Sequence, residues 1–170
     1  MDTAWLLGAT TGTLSITMSQ IANEAGIGRA TLYKYFPDVE AILRAKHEQH
    51  VLDHLRRLNE VSQGAERAKG RLNDVSLMYA QMCRHRAQHG NVELSVLLHR
   101  PQDISAPERE ILTLFKRLLV EAAASGDVRN DPPPSELAVY LVHALGAASD
   151  LPNDRAVGRL VGLALAALLT

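Results

Sequence analysis

The chain has little with which to build a sheet, a disulfide or a membrane anchor. Aromatic residues fill 4% of its 170 positions. Alternating apolar and polar runs are scarce, and no Asn-Gly or Asp-Gly pair separates two apolar stretches, so strands and hairpins have little support. The single cysteine, Cys83, has no intramolecular partner; a reducing compartment and a buried, inert thiol are the expectation. The most apolar run, "LVGLALAALL", is about half the roughly 20 residues of a membrane span. The opening "MDTAWLLGATTG" carries an acid where a secretory leader carries bases. A soluble, cytoplasmic protein is expected.

An excess of charge is also missing. The formal net charge is −1. Over residues 1–60, Arg29, Lys34, Arg44, Lys46, Arg56 and Arg57 are outnumbered by Asp2, Glu24, Asp38, Glu40, Glu48, Asp53 and Glu60. A nucleic-acid partner therefore has to be met by a local patch rather than by a global field. Catalytic signatures are lacking too: there is no glycine-rich phosphate loop, nucleophile elbow or metalloprotease helix. Cys83 and His85, two apart on a helix, point away from each other. His47, His50 and His54, or His85 and His89, have spacings that can share a metal. The trio, however, sits among Glu48, Asp53 and Arg56 as a solvated face does. No enzyme, cofactor or metal is expected.

What the chain does have is helix. Hydrophobic residues at 46% and charged residues at 22% suit a globular protein that needs no staples. Glycine and proline divide it into about nine helices. The first ends at Gly12. A second follows Thr17, whose partner Gln20 completes a capping box, and runs to Ala25. "GIG" (Gly26 to Gly28) turns into a third, Arg29 to Phe36. Asp38 caps a long fourth helix reaching about Asn59. Others span Glu66–His89, Val92–His99, Pro107 to about Ser125, Ser135–Ala148 and Asp154–Leu169. The fold class expected is all-α: an N-terminal three-helix domain over 1–45 and a helical bundle over 46–170.

Short helix, glycine turn, short helix is a helix-turn-helix pattern, in which the second helix enters the major groove. Ile16, Ile21, Ala22, Ala25, Ile27, Leu32 and Phe36 are positioned to close a small core. Arg29, Thr31, Tyr33, Lys34 and Tyr35 are left outside. Arg and Lys suit guanine edges or phosphates, Thr a thymine methyl or phosphate, and Tyr hydroxyls phosphate oxygens.

The stretch "TMSQIANEAGIGRATLYKYFPDVEAIL" resembles the DNA-binding segment of the TetR family of transcriptional regulators. The family pattern is met at Thr17, Ile21-Ala22, Ala25-Gly26-Ile27, Thr31-Leu32-Tyr33, Tyr35-Phe36 and Glu40 to Leu43. The resemblance implies a homodimeric, ligand-responsive regulator, usually a repressor. It implies that Thr17 and Ser19 contact phosphate, that Arg29, Ala30 and Thr31 face bases, and that Tyr33 and Tyr35 grip the backbone with Lys34 nearby. Two departures stand out. Val39 occupies the place of a phosphate-holding lysine, which should lower the salt slope by about one unit. Only about two turns of the first helix precede Gly12, fewer than the family carries; a misassigned start or a trimmed chain is the expectation, and the mass of the native protein tests it.

The last two helices are apolar nearly all round, so both sides need cover. A second copy would supply it through Leu137, Leu141 and Leu145 and through Gly158, Gly162, Leu165 and Ala166, a smooth stripe spaced for close helix contact. A core within one chain would explain the same pattern. Met78, Met82 and His85 share one helix side that Leu94, Leu97, Leu98 and Phe115 are able to face; this suits a small-molecule pocket or plain packing equally. The family resemblance implies the pocket. The reading is a DNA-binding repressor with a palindromic operator, released by a small-molecule effector. The alternative is a helical dimer that binds a small molecule or protein and has lost DNA binding.

Overall fold

The structure, a computed structural model, describes residues 16–64, 67–89 and 106–169. Among these residues every named element is helical: α1 (Met18–Glu24), α2 (Arg29–Tyr35), α3 (Val39–Ser62), α4 (Ala68–His89), α5 (Ala106–Ala124), α6 (Pro134–Gly146) and α7 (Asp154–Ala166), with a 3-10 turn at Ala147–Asp150. The only extended pairing among them is an isolated antiparallel bridge between Val128 and Leu169. The all-α expectation holds, with seven α-helices among the described residues where about nine were counted from the sequence. Two of the nine, the helix before Gly12 and Val92–His99, lie outside the described residues.

The chain divides into two compact units at Leu52/Asp53, inside the continuous helix α3. The first unit closes over Ile16, Met18, Ile21, Ala22, Leu32, Ile42 and Leu43, with Phe36 and Val39 packed against them. Two residues expected in this core, Ala25 and Ile27, are exposed. Ala25 still donates to the Ile21 carbonyl as the C-cap of α1 but lies at the open end of the helix, and Ile27, beyond the left-handed Gly26, has left the helical period that turns Ile21 and Ala22 inward. Met18, Ile42 and Leu43 join the core instead.

In the second unit, α5 buries Leu114, Phe115, Leu118, Leu119 and Ala122, α6 buries Leu137, Ala138, Leu141 and Leu145, and α7 buries Ala156, Val157, Val161 and Ala164. Each set recurs at three to four residues, the stripe of a helix facing a core. This corrects the assignment of Leu137, Leu141 and Leu145 to an interface between copies. All three are buried within the chain's own core, so their side chains have nothing left to offer a partner. Gly158, Gly162 and Ala166 remain exposed and Leu165 half-buried.

Polar ties fasten the bundle. Arg84 donates through Nε to the Leu151 carbonyl at 3.1 Å, through Nη1 to Asp154 at 2.6 Å and through Nη2 to the Pro152 carbonyl at 3.1 Å. One guanidinium thereby pins α4 to the loop ahead of α7. Arg71 pairs with Glu121 at 2.6 Å. Arg117 donates to the Ser62 hydroxyl at 2.8 Å, and that hydroxyl donates to the Asn59 carbonyl at 2.7 Å.

Candidate nucleic-acid interface

Thr17 begins the helix-turn-helix in extended conformation, with φ −112° and ψ 153°. Its hydroxyl accepts from the Gln20 N–H at 3.3 Å, while its own N–H and hydroxyl donate to Gln20 Oε1 at 2.8 and 2.9 Å. The capping box is therefore complete, a feature worth about 1 kcal/mol to a helix end. It also occupies both donors of Thr17, the atoms that a phosphate contact would use. Ser19 is half-buried on the first turn of α1.

The turn follows from one residue. Gly26 has φ +66°, a left-handed conformation that costs glycine little. It lets the Ile27 N–H reach the Ala22 carbonyl at 3.0 Å and the Gly26 N–H reach that of Asn23 at 3.1 Å. These two bonds close α1 as a Schellman motif and redirect the chain into α2.

Helix α2 has one buried residue, Leu32. Everything else on it is exposed: Arg29, Ala30, Thr31, Tyr33, Lys34 and Tyr35. Tyr33 and Tyr35 are 46% and 69% exposed, large fractions for aromatic side chains. The Arg29 guanidinium carbon lies 5.9 Å from the Tyr33 ring centroid. The unit thus brings the expected readers together on one short helix with a single apolar anchor. Asp38 accepts from the Ala41 N–H at 2.8 Å and starts α3 as its pattern predicts, and Arg44 pairs with Glu40. Val39 is half-buried against the core; the residue standing where the family carries a lysine serves packing.

The expected effector residues fall into three groups. Phe115 is fully buried in the bundle core, Met78 and Met82 are half-buried against it, and His85 is exposed. Leu94, Leu97 and Leu98 lie outside the described residues. Sequence reasoning missed two neighbours. Ser76 is fully buried, and its hydroxyl has no hydrogen-bond partner within the described structure. Tyr79 meets Phe115 edge-on, with ring centroids 5.6 Å apart and planes at 74°. Burial pushes the Tyr79 phenol well above its ordinary value, and the Cys83 sulfur to which it hydrogen-bonds adds to the shift. Burial likewise raises the Cys83 thiol, against a partial opposing pull from Arg86. The signal for both was present: Ser76, Tyr79 and Cys83 are spaced three and four apart, on one helix face.

Among the described residues no three His, Cys, Asp or Glu side chains come together as a metal site would require. None of their helices is long and apolar enough to cross a membrane.

Residues 1–45 match the family model described as bacterial regulatory proteins, tetR family. No curated protein matches the chain. Solved structures do, at low identity. A transcriptional regulator of the TetR/AcrR family from Thermobifida fusca YX-ER1 superposes with a TM-score of 0.79 at 21% identity, covering 96% of this chain and 93% of that one. The fatty acid degradation regulator FadR from Bacillus halodurans gives 0.73 at 17%, over 96% and 91%. The ketosteroid transcriptional regulator KstR2 of Mycobacterium tuberculosis gives 0.66 at 15%, over 99% and 92%. The N-terminal segment thus matches the tetR-family model, and the chain as a whole has the fold of these solved regulators.

Proposed function

We propose that the protein is a cytoplasmic repressor, without enzymatic activity, that binds a palindromic operator as a homodimer and leaves it when a small molecule binds the bundle. The observation that carries the reading is α2. A helix of seven residues with only Leu32 buried presents a guanidinium, an ammonium, a threonine and two tyrosine hydroxyls to solvent, and these are the groups that meet base edges and phosphates. Arg29, Ala30 and Thr31 face bases; Tyr33, Lys34, Tyr35 and Ser19 hold the backbone.

Homodimerisation is supported by α6 and α7. Val139, Tyr140 and Leu163 are exposed apolar or aromatic side chains, and Gly158, Gly162 and Ala166 accompany them. A Cβ added at Gly158 or Gly162 would meet nothing within 4 Å. Neither glycine is needed inside the protomer, and each weakens a helix by about 0.5–1 kcal/mol relative to alanine; close approach of another helix gives them a use. A two-fold dimer supplies two reading helices for a two-fold operator.

The effector proposed is an apolar small molecule held beside Met78, Met82 and Phe115, with the Ser76 hydroxyl as a polar contact. FadR is named for fatty acid degradation and KstR2 for ketosteroids; an apolar ligand here is in keeping with them. It releases DNA by favouring one of two conformations that differ in operator affinity. A second reading, a helical dimer that no longer binds DNA, is favoured by Thr17, whose donors are spent on Gln20, and by Val39, which packs inward.

Fluorescence anisotropy on DNA from the gene's own upstream region, at low and moderate salt, separates the two. Tight, salt-sensitive binding that beats scrambled DNA is expected. Weak binding without preference would establish the second reading.

A further inference from the structure

We infer that Tyr33 is a positioning residue for Arg29, its ring fixing the guanidinium that reads the base while its hydroxyl serves the phosphate backbone. The inference deepens the DNA-binding proposal and rests on it. Arg29 is the first residue of α2 and Tyr33 lies four residues on. Helical side chains lean towards the N-terminus, so the ring at i+4 covers the surface beside residue i. The 5.9 Å separation lies within the roughly 6 Å over which a ring quadrupole holds a guanidinium. No other aromatic residue of α2 is so spaced: Tyr35 follows Arg29 by six, on a different face.

This contact suits a reader because it leaves the hydrogen-bonding groups unspent. The ring attracts the charge, while all five guanidinium N–H donors stay available for a bidentate contact with a guanine. A free arginine loses rotamer entropy when it is fixed. Holding it before the duplex arrives removes part of that loss from the binding step, and only where the correct base meets it. The ring should therefore act on discrimination, and the hydroxyl on overall affinity.

The test starts from operators selected from a random duplex pool with the wild-type protein, followed by anisotropy titrations on the selected and single-base-changed duplexes. Tyr33→Phe keeps the ring and loses the hydroxyl; it should weaken all duplexes alike and leave the base preference intact. Tyr33→Leu loses the ring. It should reduce the preference by about two- to five-fold at the base pair whose preference Arg29→Ala abolishes, and should add no further loss of preference in an Arg29→Ala background. Tyr33→Trp should restore the preference, which a merely structural tyrosine would not explain. An unchanged preference in Tyr33→Leu would overturn the inference while leaving the DNA-binding proposal standing, as would an equal loss at every base pair. A wild-type protein that selects no sequence overturns that proposal and this inference with it.

Discussion

The two units spend their side chains in opposite ways. In the first, α2 gives one residue of seven to the core and the rest to solvent. In the second, α5 buries Leu114, Phe115, Leu118, Leu119 and Ala122 on one stripe, and its core draws on α3, α4, α5, α6 and α7 together. A helix this short has marginal stability of its own, so α2 is held by Leu32, by the Gly26 turn and by what packs around them. The bundle needs no such economy. The difference is that between a surface shaped to touch something and a volume shaped to exclude water.

Paired core truncations break that comparison most strongly. Phe115→Ala should destabilise the bundle by about 3–5 kcal/mol, read by chemical denaturation followed by far-UV circular dichroism. Leu32→Ala should cost the first unit about 2–5 kcal/mol. It should abolish DNA binding while the main unfolding transition, carried by the bundle, moves little. If Leu32→Ala shifts the main transition as far as Phe115→Ala does, the two units fold as one and the comparison fails.

Arg29→Ala sharpens it on the binding side. The loss on a selected operator should be about 1–3 kcal/mol, with preference relaxed at one base pair, while Tyr35→Ala should weaken cognate and scrambled duplexes alike. The same loss on both duplexes for Arg29→Ala would remove its reading role. Leu163→Glu, at a site 73% exposed, should leave protomer stability within about 0.5 kcal/mol yet convert dimer to monomer in sedimentation. A variant that sediments as the parent does would move the interface away from α7.

Much of this was legible in the sequence because the decisive signals are local. Thr17 with Gln20, the glycine turn at Gly26 and the Asp38 cap each act over three or four residues, and all three fall where the pattern puts them. So does the exposed set on α2, since a helix with one large aliphatic residue, Leu32, has one way to face a core. The failures share a cause. Ile27 reads as core by composition, but the turn carries it out of register. Leu137, Leu141 and Leu145 have the spacing of an interface stripe, yet the same spacing serves an internal core, and only the positions of α4 and α5 decide between them. Val39 was read through the charge it lacks, and its packing against Phe36's neighbours is a matter of three dimensions. Thr17 shows the limit of motif transfer: the residue is in place, and its donors are taken.

The smallest expected effect concerns the buried pair Tyr79 and Cys83, and it extends the comparison to pH. Both groups are acids whose neutral forms are favoured by burial, so each holds its proton in the folded bundle beyond the pH at which the unfolded chain releases it. With the folded value raised, the unfolded state binds fewer protons in the interval between the two values, and stability falls with rising pH there. The contribution is fully present below the ordinary thiol value of 9.0 and is lost as pH climbs through the folded value. Denaturation midpoints of the bundle should therefore decline on the alkaline side of pH 9.0, and Cys83→Ala should make that decline shallower. A Cys83→Ala protein whose alkaline slope matches the parent's would mean that the thiol is not desolvated in the fold, and that the bundle around α4 is wetter than its packing implies.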